Sequence, residues 1–282
     1  MTSVAPGTRL ARANVLLGLF HCWESIDELL SALAIEQWQA PTVLPGWRVR
    51  DVVAHLIGTE STLLGIKVPE PDTDLLALPH VHNETGAMNE RWVRHFAHRS
   101  GRELLERFRI VTDDRRKQLT ETTNEEWISI TPTPAGPDTY GRFMRIRTFD
   151  CWVHEHDIRE AVGVRTADDT LAADSAALAL DEIAGSMGYV VAKLGGAPNG
   201  SRIAIELTGP LKRTIRVAVD PRGHVVDQFE DGPATCTIRL DGVLFTRLVA
   251  GRTTAAEHAA AIELDGDVAV GQQIVDRLKF VI

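Results

Sequence analysis

The stretch Arg145-Ile146-Arg147-Thr148-Phe149-Asp150-Cys151-Trp152-Val153-His154-Glu155-His156-Asp157-Ile158-Arg159 decides how the chain is read. It contains neither proline nor glycine and spans about four helical turns. In a helix, Asp150 and His154 stand one turn apart on one face, and Asp157 continues that face. Phe149, Trp152, Val153 and Ile158 supply apolar bulk beside them. A carboxylate and an imidazole so placed face a packed interior, which costs several kcal/mol unless they are paired or bind a metal. A metal needs at least one more ligand, and the chain offers one about a hundred residues earlier.

That earlier residue lies in Val49-Arg50-Asp51-Val52-Val53-Ala54-His55-Leu56-Ile57-Gly58, a segment of helical periodicity that follows the turn-rich connector Trp38–Trp47. Arg48 occupies the cap position, where Ser or Thr would serve better. Asp51 suits the positive end of the helix dipole. Alone among Val52, Val53, Leu56 and Ile57, His55 reads as a core residue bonded to a carbonyl. With Asp150 and His154 it completes two histidines and one carboxylate from two helices, a common zinc set with a fourth position open.

The remaining pattern supplies the frame. Residues 8–33 carry apolar side chains at helical spacing, from Leu10 to Leu33, with His21 among them as a packed or half-exposed residue. Residues 65–85 read as a long loop across one end of a bundle, and loops of that length are often functional. Its His80 and His82 are expected in solvent. A third helix is expected over 87–120, kinked near Ser100-Gly101, with His95 and His98 on its basic, solvated face. The connector Thr131–Asp138 cannot be helix or central strand. It leads to a helix over 140–162 ended by Gly163, and another follows over 171–194.

After residue 195 the period changes. Residues 202–208, 213–219 and 235–240 alternate apolar and polar side chains, as half-buried antiparallel strands do. Asp220–Gly223 reads as a turn between two of them. Residues 243–250 and 268–278 read as short helices on that sheet. The expected architecture is α+β in two domains: a metal-binding helical bundle over 1–195, and a small domain with a mostly antiparallel sheet over 196–282.

Composition narrows the function classes. At 282 residues, with 44% hydrophobic and 24% charged residues, the chain has an ordinary globular balance. A net charge of −9 argues against broad nucleic-acid binding, which needs clustered positive charge. Cys22, Cys151 and Cys236 are odd in number and lack CxxC spacing, so neither a disulfide framework nor a zinc–cysteine site is indicated. The N-terminal MTSVAPGTRLARAN lacks a signal pattern and no run of 18 apolar residues occurs, so a cytoplasmic protein that does not enter membranes is expected. Nothing in the pattern chooses between a monomer and a homodimer.

Two segments resemble the signatures of mycothiol-dependent maleylpyruvate isomerase-like enzymes: Trp38…Leu44-Pro45-Gly46-Trp47-x-Val49-Arg50-Asp51-Val52-Val53-Ala54-His55-Leu56, and Asp150-x-x-x-His154-x-x-Asp157-Ile158-Arg159. The resemblance implies a DinB-like four-helix bundle of up-down-down-up type, whose metal is held by one ligand on the second helix and two on a later one. The tail Leu248-Val249-Ala250-Gly251-Arg252…Gly266-Asp267…Leu278-Lys279-Phe280 resembles the sterol carrier protein-like domain often appended to it. Carried over, the ligands are His55, Asp150 and His154, holding zinc or another divalent cation. The family more usually has Glu where Asp150 stands, so the helix must come closer to the metal or bind it through water. Asp157 is expected as a supporting carboxylate, and His156, about 200° around the helix from His154, outside the metal.

Mycothiol is the implied thiol co-substrate, activated for isomerisation of, or transfer to, a small electrophilic or anionic substrate such as maleylpyruvate. No protein group is assigned a catalytic role beyond the metal, and Cys151 is read as a small buried hydrophobe. An arginine of the second domain is expected to bind substrate, with Arg213, Arg216 and Arg239 as candidates. Three other readings stand beside this one: a hydrolase activating water, an Fe(II) oxygenase on a facial triad, and a metal or small-ligand binding protein without activity.

Overall fold

A computed structural model of the chain describes residues 7–71, 73–171 and 173–281. The stretch read for a signal pattern therefore lies in part, at residues 1–6, outside the described residues. The chain divides into two compact units, Met1–Thr166 and Ala167–Ile282.

In the first unit, α1 (Arg12–Ser31), α2 (Val49–Leu63), α4 (Gly101–Glu121) and α6 (Tyr140–Val162) form a four-helix bundle. Helix α1 packs along α6 and α2 along α4, and α1–α4 and α2–α6 contacts close the bundle. The buried stripes follow the helical period: Val15, Leu19, Cys22, Ile26 and Leu30 on α1, and Leu104, Phe108, Val111, Arg115 and Leu119 on α4. Each fully buried aliphatic or aromatic side chain contributes roughly 1.5–3 kcal/mol.

The helix expected over 87–120 is two helices, α3 (Glu84–His95) and α4. The break falls where Ser100 and Glu103 form a capping box: Ser100 N–H donates to the Glu103 carboxylate at 2.7 Å and Glu103 N–H to Ser100 Oγ at 3.3 Å. Such a cap starts a new helix rather than bending an old one. Among its described residues the 65–85 loop contains one 3-10 turn, Leu75–Ala77, and it is tied down by Leu75, Leu78, Val81 and Ala87, which pack together. A short helix, α5 (Asn124–Ile128), and a two-residue hairpin, β1 (Ile130–Thr131) with β2 (Asp138–Thr139), lead into α6. Helix α6 ends at Gly163, whose φ of 70° lets Val164 N–H reach the Arg159 carbonyl at 2.9 Å.

The second unit begins earlier than the expected residue 196. After a single turn, α7 (Asp168–Leu171), helix α8 (Asp174–Tyr189) continues into one π-helical turn, Val190–Leu194. Rather than joining the bundle, α8 packs on β4 (Arg213–Val219) and β5 (Gly223–Val226). The Ala-rich period that announced a helix carried no information about which hydrophobic face it would cover. With β3 (Arg202–Thr208), β6 (Cys236–Asp241) and β7 (Glu263–Gly266), these strands form a sheet ordered β5-β4-β3-β6-β7. Only the β3–β6 pairing is parallel. Ile203, Ile205, Ile215, Val217, Ile238 and Leu240 are buried at alternate positions, as the alternation predicted. Helices α9 (Gly242–Val249) and α10 (Val268–Val275) complete the unit. Strands β5 and β7 were not anticipated, because four residues give too short a period to read.

Gly188 of α8 and Gly223 of β5 touch backbone to backbone. A Cβ on Gly188 would lie 2.5 Å from the Gly223 carbonyl oxygen. Gly188→Ala is therefore expected to destabilise the protein by roughly 1–3 kcal/mol, the usual cost of overpacking, seen as a lower denaturant midpoint. Asp138 ties Thr8 to the start of α6: its carboxylate accepts from Thr8 N–H at 2.7 Å, Thr8 Oγ1 at 2.9 Å, Thr139 N–H at 2.7 Å and Arg142 at 2.8 Å. Burial opposes the charge, but Arg142 and the backbone donors hold the carboxyl at about 2, below its ordinary 3.8. Its contribution to stability is thus present above the ordinary value and lost as pH falls from there toward 2. Asp138→Asn should flatten the stability–pH curve in that window; an unchanged slope in acid denaturation would contradict the assignment.

Candidate metal centre

Helix α2 carries His55 and α6 carries Asp150 and His154, and the α2–α6 contact brings the three together. Each offers one ligand atom, and these atoms lie within 4.8 Å of one another. His55 Nε2 is 3.3 Å from Asp150 Oδ2, and His154 Nε2 is 3.6 Å from Asp150 Oδ1. Ligands on a tetrahedral zinc with ~2.1 Å bonds are about 3.4 Å apart, so these separations suit one cation. The two imidazoles meet edge to face, with ring centres 4.8 Å apart. Their side chains are only 6% and 9% exposed while that of Asp150 is 29% exposed, so the cluster is reached from the carboxylate side.

The surroundings favour the ionisation states that ligation requires. Burial pushes the His55 pKa down, against the opposing pull of Asp150, and so favours neutral imidazole. For Asp150, desolvation raises the pKa, yet Arg147, His154 and His55 together hold it well below the usual carboxylate range. His154 is fixed from behind: its Nδ1–H donates to Asp157, a fully buried carboxylate, at 3.0 Å, which leaves the Nε2 lone pair toward the cluster. The expected supporting role of Asp157 has this geometry. His55 lacks such backing. Its Nδ1 is buried with no hydrogen-bond partner among the described residues.

Other histidines stand apart from the cluster. His156 gives its Nδ1–H to the Trp152 carbonyl at 2.8 Å. His82 and His98 are exposed, and His95 rests on the rings of Trp92 and Phe96. His80, expected in solvent, instead bonds Glu90 at 3.3 Å, and the same carboxylate accepts from Trp47 Nε1 at 3.1 Å and Arg94 at 3.2 Å. That holds the half-buried Trp47 indole against both imidazoles of the cluster, 5.5 Å from His55 and 6.5 Å from His154 by ring centres. Cys151 is buried, and burial pushes its thiol up to about 12 against the pull of Arg147, so it stays protonated. Of the candidate substrate-binding arginines, Arg213 pairs with Asp181 at 2.6 Å and Arg239 with Glu206 and Glu263, while Arg216 bonds the Asp227 carbonyl at 3.2 Å.

Sequence reading missed Trp47, Glu60, Glu90 and Arg147. Arg147 was the most legible of them, since it precedes Asp150 by three residues and so shares its face. Glu60 and Glu90 gave no such sign.

A profile of the mycothiol maleylpyruvate isomerase N-terminal domain matches residues 19–159, and one of the C-terminal domain of the same enzymes matches residues 177–273. The chain belongs to the mycothiol-dependent maleylpyruvate isomerase family. The gap between the two matches, 160–176, contains the division at residue 166. Crystal structures of the mycothiol-dependent maleylpyruvate isomerase and of a histidine-to-alanine mutant of it share the fold, with TM-scores of 0.59 and 0.57. Each is 14% identical and covers 91% of this chain and 93% of its own. Two uncharacterized proteins of Mycobacterium tuberculosis, from strains CDC 1551 / Oshkosh and ATCC 25618 / H37Rv, are each 23% identical over 141 residues, which is 50% of this chain. The chain spans about half the length, 53%, of those curated relatives. Among the described residues, no helix is long and apolar enough to cross a membrane.

If Asp157 fixes the His154 tautomer, Asp157→Asn should weaken zinc binding about 10–100-fold, the usual effect of losing such a partner. His156→Ala should leave it unchanged. Competition against a chromophoric chelator measures both.

Proposed function

We propose that the chain is a metal-dependent enzyme of thiol chemistry, in which His55, Asp150 and His154 hold a divalent cation, most naturally zinc. It would use a low-molecular-weight thiol, mycothiol by family, to isomerise or modify a small electrophilic substrate of the maleylpyruvate kind. The observation that carries this reading is the donor set itself: two buried nitrogen atoms and one carboxylate oxygen at ligand spacing, with access left on the Asp150 side. Such a cation, when bound, supplies a Lewis acid that favours the thiolate form of an incoming sulfur donor.

The chain's own residues prepare that role. His55 is kept neutral by burial, and Asp157 fixes the tautomer of His154. Trp47 lays an apolar ring beside the imidazoles with its N–H already committed to Glu90, so it offers an incoming group no hydrogen bond. A wall of that kind suits sulfur better than water. Cys151 stays a buried thiol, so the nucleophile is supplied from outside the chain.

Cobalt substitution tests the reading. Titration of mycothiol into the cobalt-loaded protein should produce a sulfur-to-cobalt charge-transfer band, and His154→Ala should abolish both the band and metal retention. A loaded protein that shows no band and instead hydrolyses esters or amides would point to activated water. Metal content unchanged in His154→Ala would refute the ligand set.

A further inference from the structure

Behind Asp150 lies a buried chain of charges that metal ligation does not itself require. Arg147, on the same face of α6 and 4% exposed, donates through Nη1 to Asp150 Oδ2. Its Nε and Nη2 both donate to Glu60 Oε1, at 3.0 and 2.9 Å. Glu60, 1% exposed, also accepts from Arg115 at 2.9 Å through Oε2, and Arg115 is wholly buried. Arg115 in turn reaches Tyr140 Oη at 3.2 Å and the Met144 sulfur at 3.2 Å, and also bonds Gln118. Two arginines from α4 and α6 thus clamp one glutamate from α2, and the spare arm of one of them grips the carboxylate at the metal centre.

Burying these groups is expensive, and an apolar core of the same volume is often at least as stable. Simple stability therefore does not explain the arrangement, and its geometry suggests another use. Aspartate is the shortest carboxylate side chain, with a χ1–χ2 pair that is otherwise free to turn its oxygens toward the exposed side of the site. With Oδ2 held by Arg147, the carboxylate is set so that Oδ2 lies 3.3 Å from His55 Nε2 and Oδ1 lies 3.6 Å from His154 Nε2.

We propose that Arg147, locked by Glu60, is a positioning residue that fixes the orientation of the Asp150 carboxylate between the two imidazoles. This rests on the assignment of His55, Asp150 and His154 as ligands. An opposing effect is built in, because a guanidinium next to the site repels a divalent cation. Glu60 offsets part of that charge. The proposal requires the positioning effect to exceed the repulsion.

The test is zinc affinity of the full-length chain, measured by chelator competition together with the thermal stability of the metal-free protein. Arg147→Met leaves Glu60 paired with Arg115 and should weaken zinc binding at least about tenfold, the scale of lost supporting interactions. Arg147→Lys keeps the charge but loses the fork that spans two carboxylates, and it should weaken binding as well. If the methionine variant fails to fold, the lysine variant decides. Asp150→Glu supplies the decisive cycle: its longer side chain should recover affinity in the Arg147→Met background and should not improve it in the unaltered chain. A general loss of stability would not produce that rescue.

Binding within about twofold in both Arg147 variants, or equal effects of Asp150→Glu in the two backgrounds as independent sites give, overturns the proposal. A rise in affinity on losing Arg147 overturns it too, since repulsion would then dominate. His154→Ala separates the two levels: zinc retained there sinks the ligand set, whereas zinc lost there with Arg147 variants unaffected sinks only the positioning role.

Discussion

The carboxylate of Asp150 has three polar neighbours at once, the guanidinium of Arg147 and the imidazoles of His55 and His154, at the rim of the bundle. A half-buried negative charge is tolerable there only because these groups surround it. The requirement fixes the relative register of α2 and α6, since a displacement of one helix by a turn would separate His55 from Asp150 and Glu60 from Arg147 together. Bundle packing and site geometry are therefore one constraint. The apolar stripes bring the helices together, and the polar contacts select which alignment is used.

Around this core the remaining elements act at longer range. Helix α3 contributes Glu90, which gathers Trp47, His80 and Arg94 onto one carboxylate and so ties the 65–85 loop to the connector preceding α2. Gly46, with φ of 80°, lets that connector turn beneath the His80 ring, where a Cβ would lie 3.0 Å from Nδ1. The indole that walls the His55–Asp150–His154 cluster is thus placed by residues from three separate segments. The second unit is built on different physics, a five-stranded sheet with helices on its buried face and a cross-strand ion-pair row of Glu206, Arg239 and Glu263 on the other.

Membership of the mycothiol-dependent maleylpyruvate isomerase family agrees with this chemistry, and the shared fold with that enzyme is clear at 14% identity. Identity so low carries architecture further than it carries a reaction. What argues for thiol chemistry in this chain is local: a His55 imidazole kept neutral by burial, a carboxylate kept ionised, an apolar wall, and an internal thiol held too basic to compete.

Periodicity was enough to find the bundle helices and the three longer strands, because each depends on spacing within a single segment, whereas the meeting of His55 with Asp150 and His154 was expected from the donor types and the family resemblance. The end of α6 at Gly163 was equally readable, since a left-handed cap needs glycine. Other features depend on what lies across a gap in the chain. Whether α8 covers a helix or a sheet, whether Ser100 bends a helix or begins a new one, and which buried acid answers Arg147 are settled by packing against distant partners. Glu60, five residues beyond His55, reads in sequence as an ordinary polar residue near a helix end. Only the approach of α4 and α6 on either side of α2 turns it into the buried anion between two arginines, because charge pairing in a core is decided by proximity in space and leaves no period along the chain.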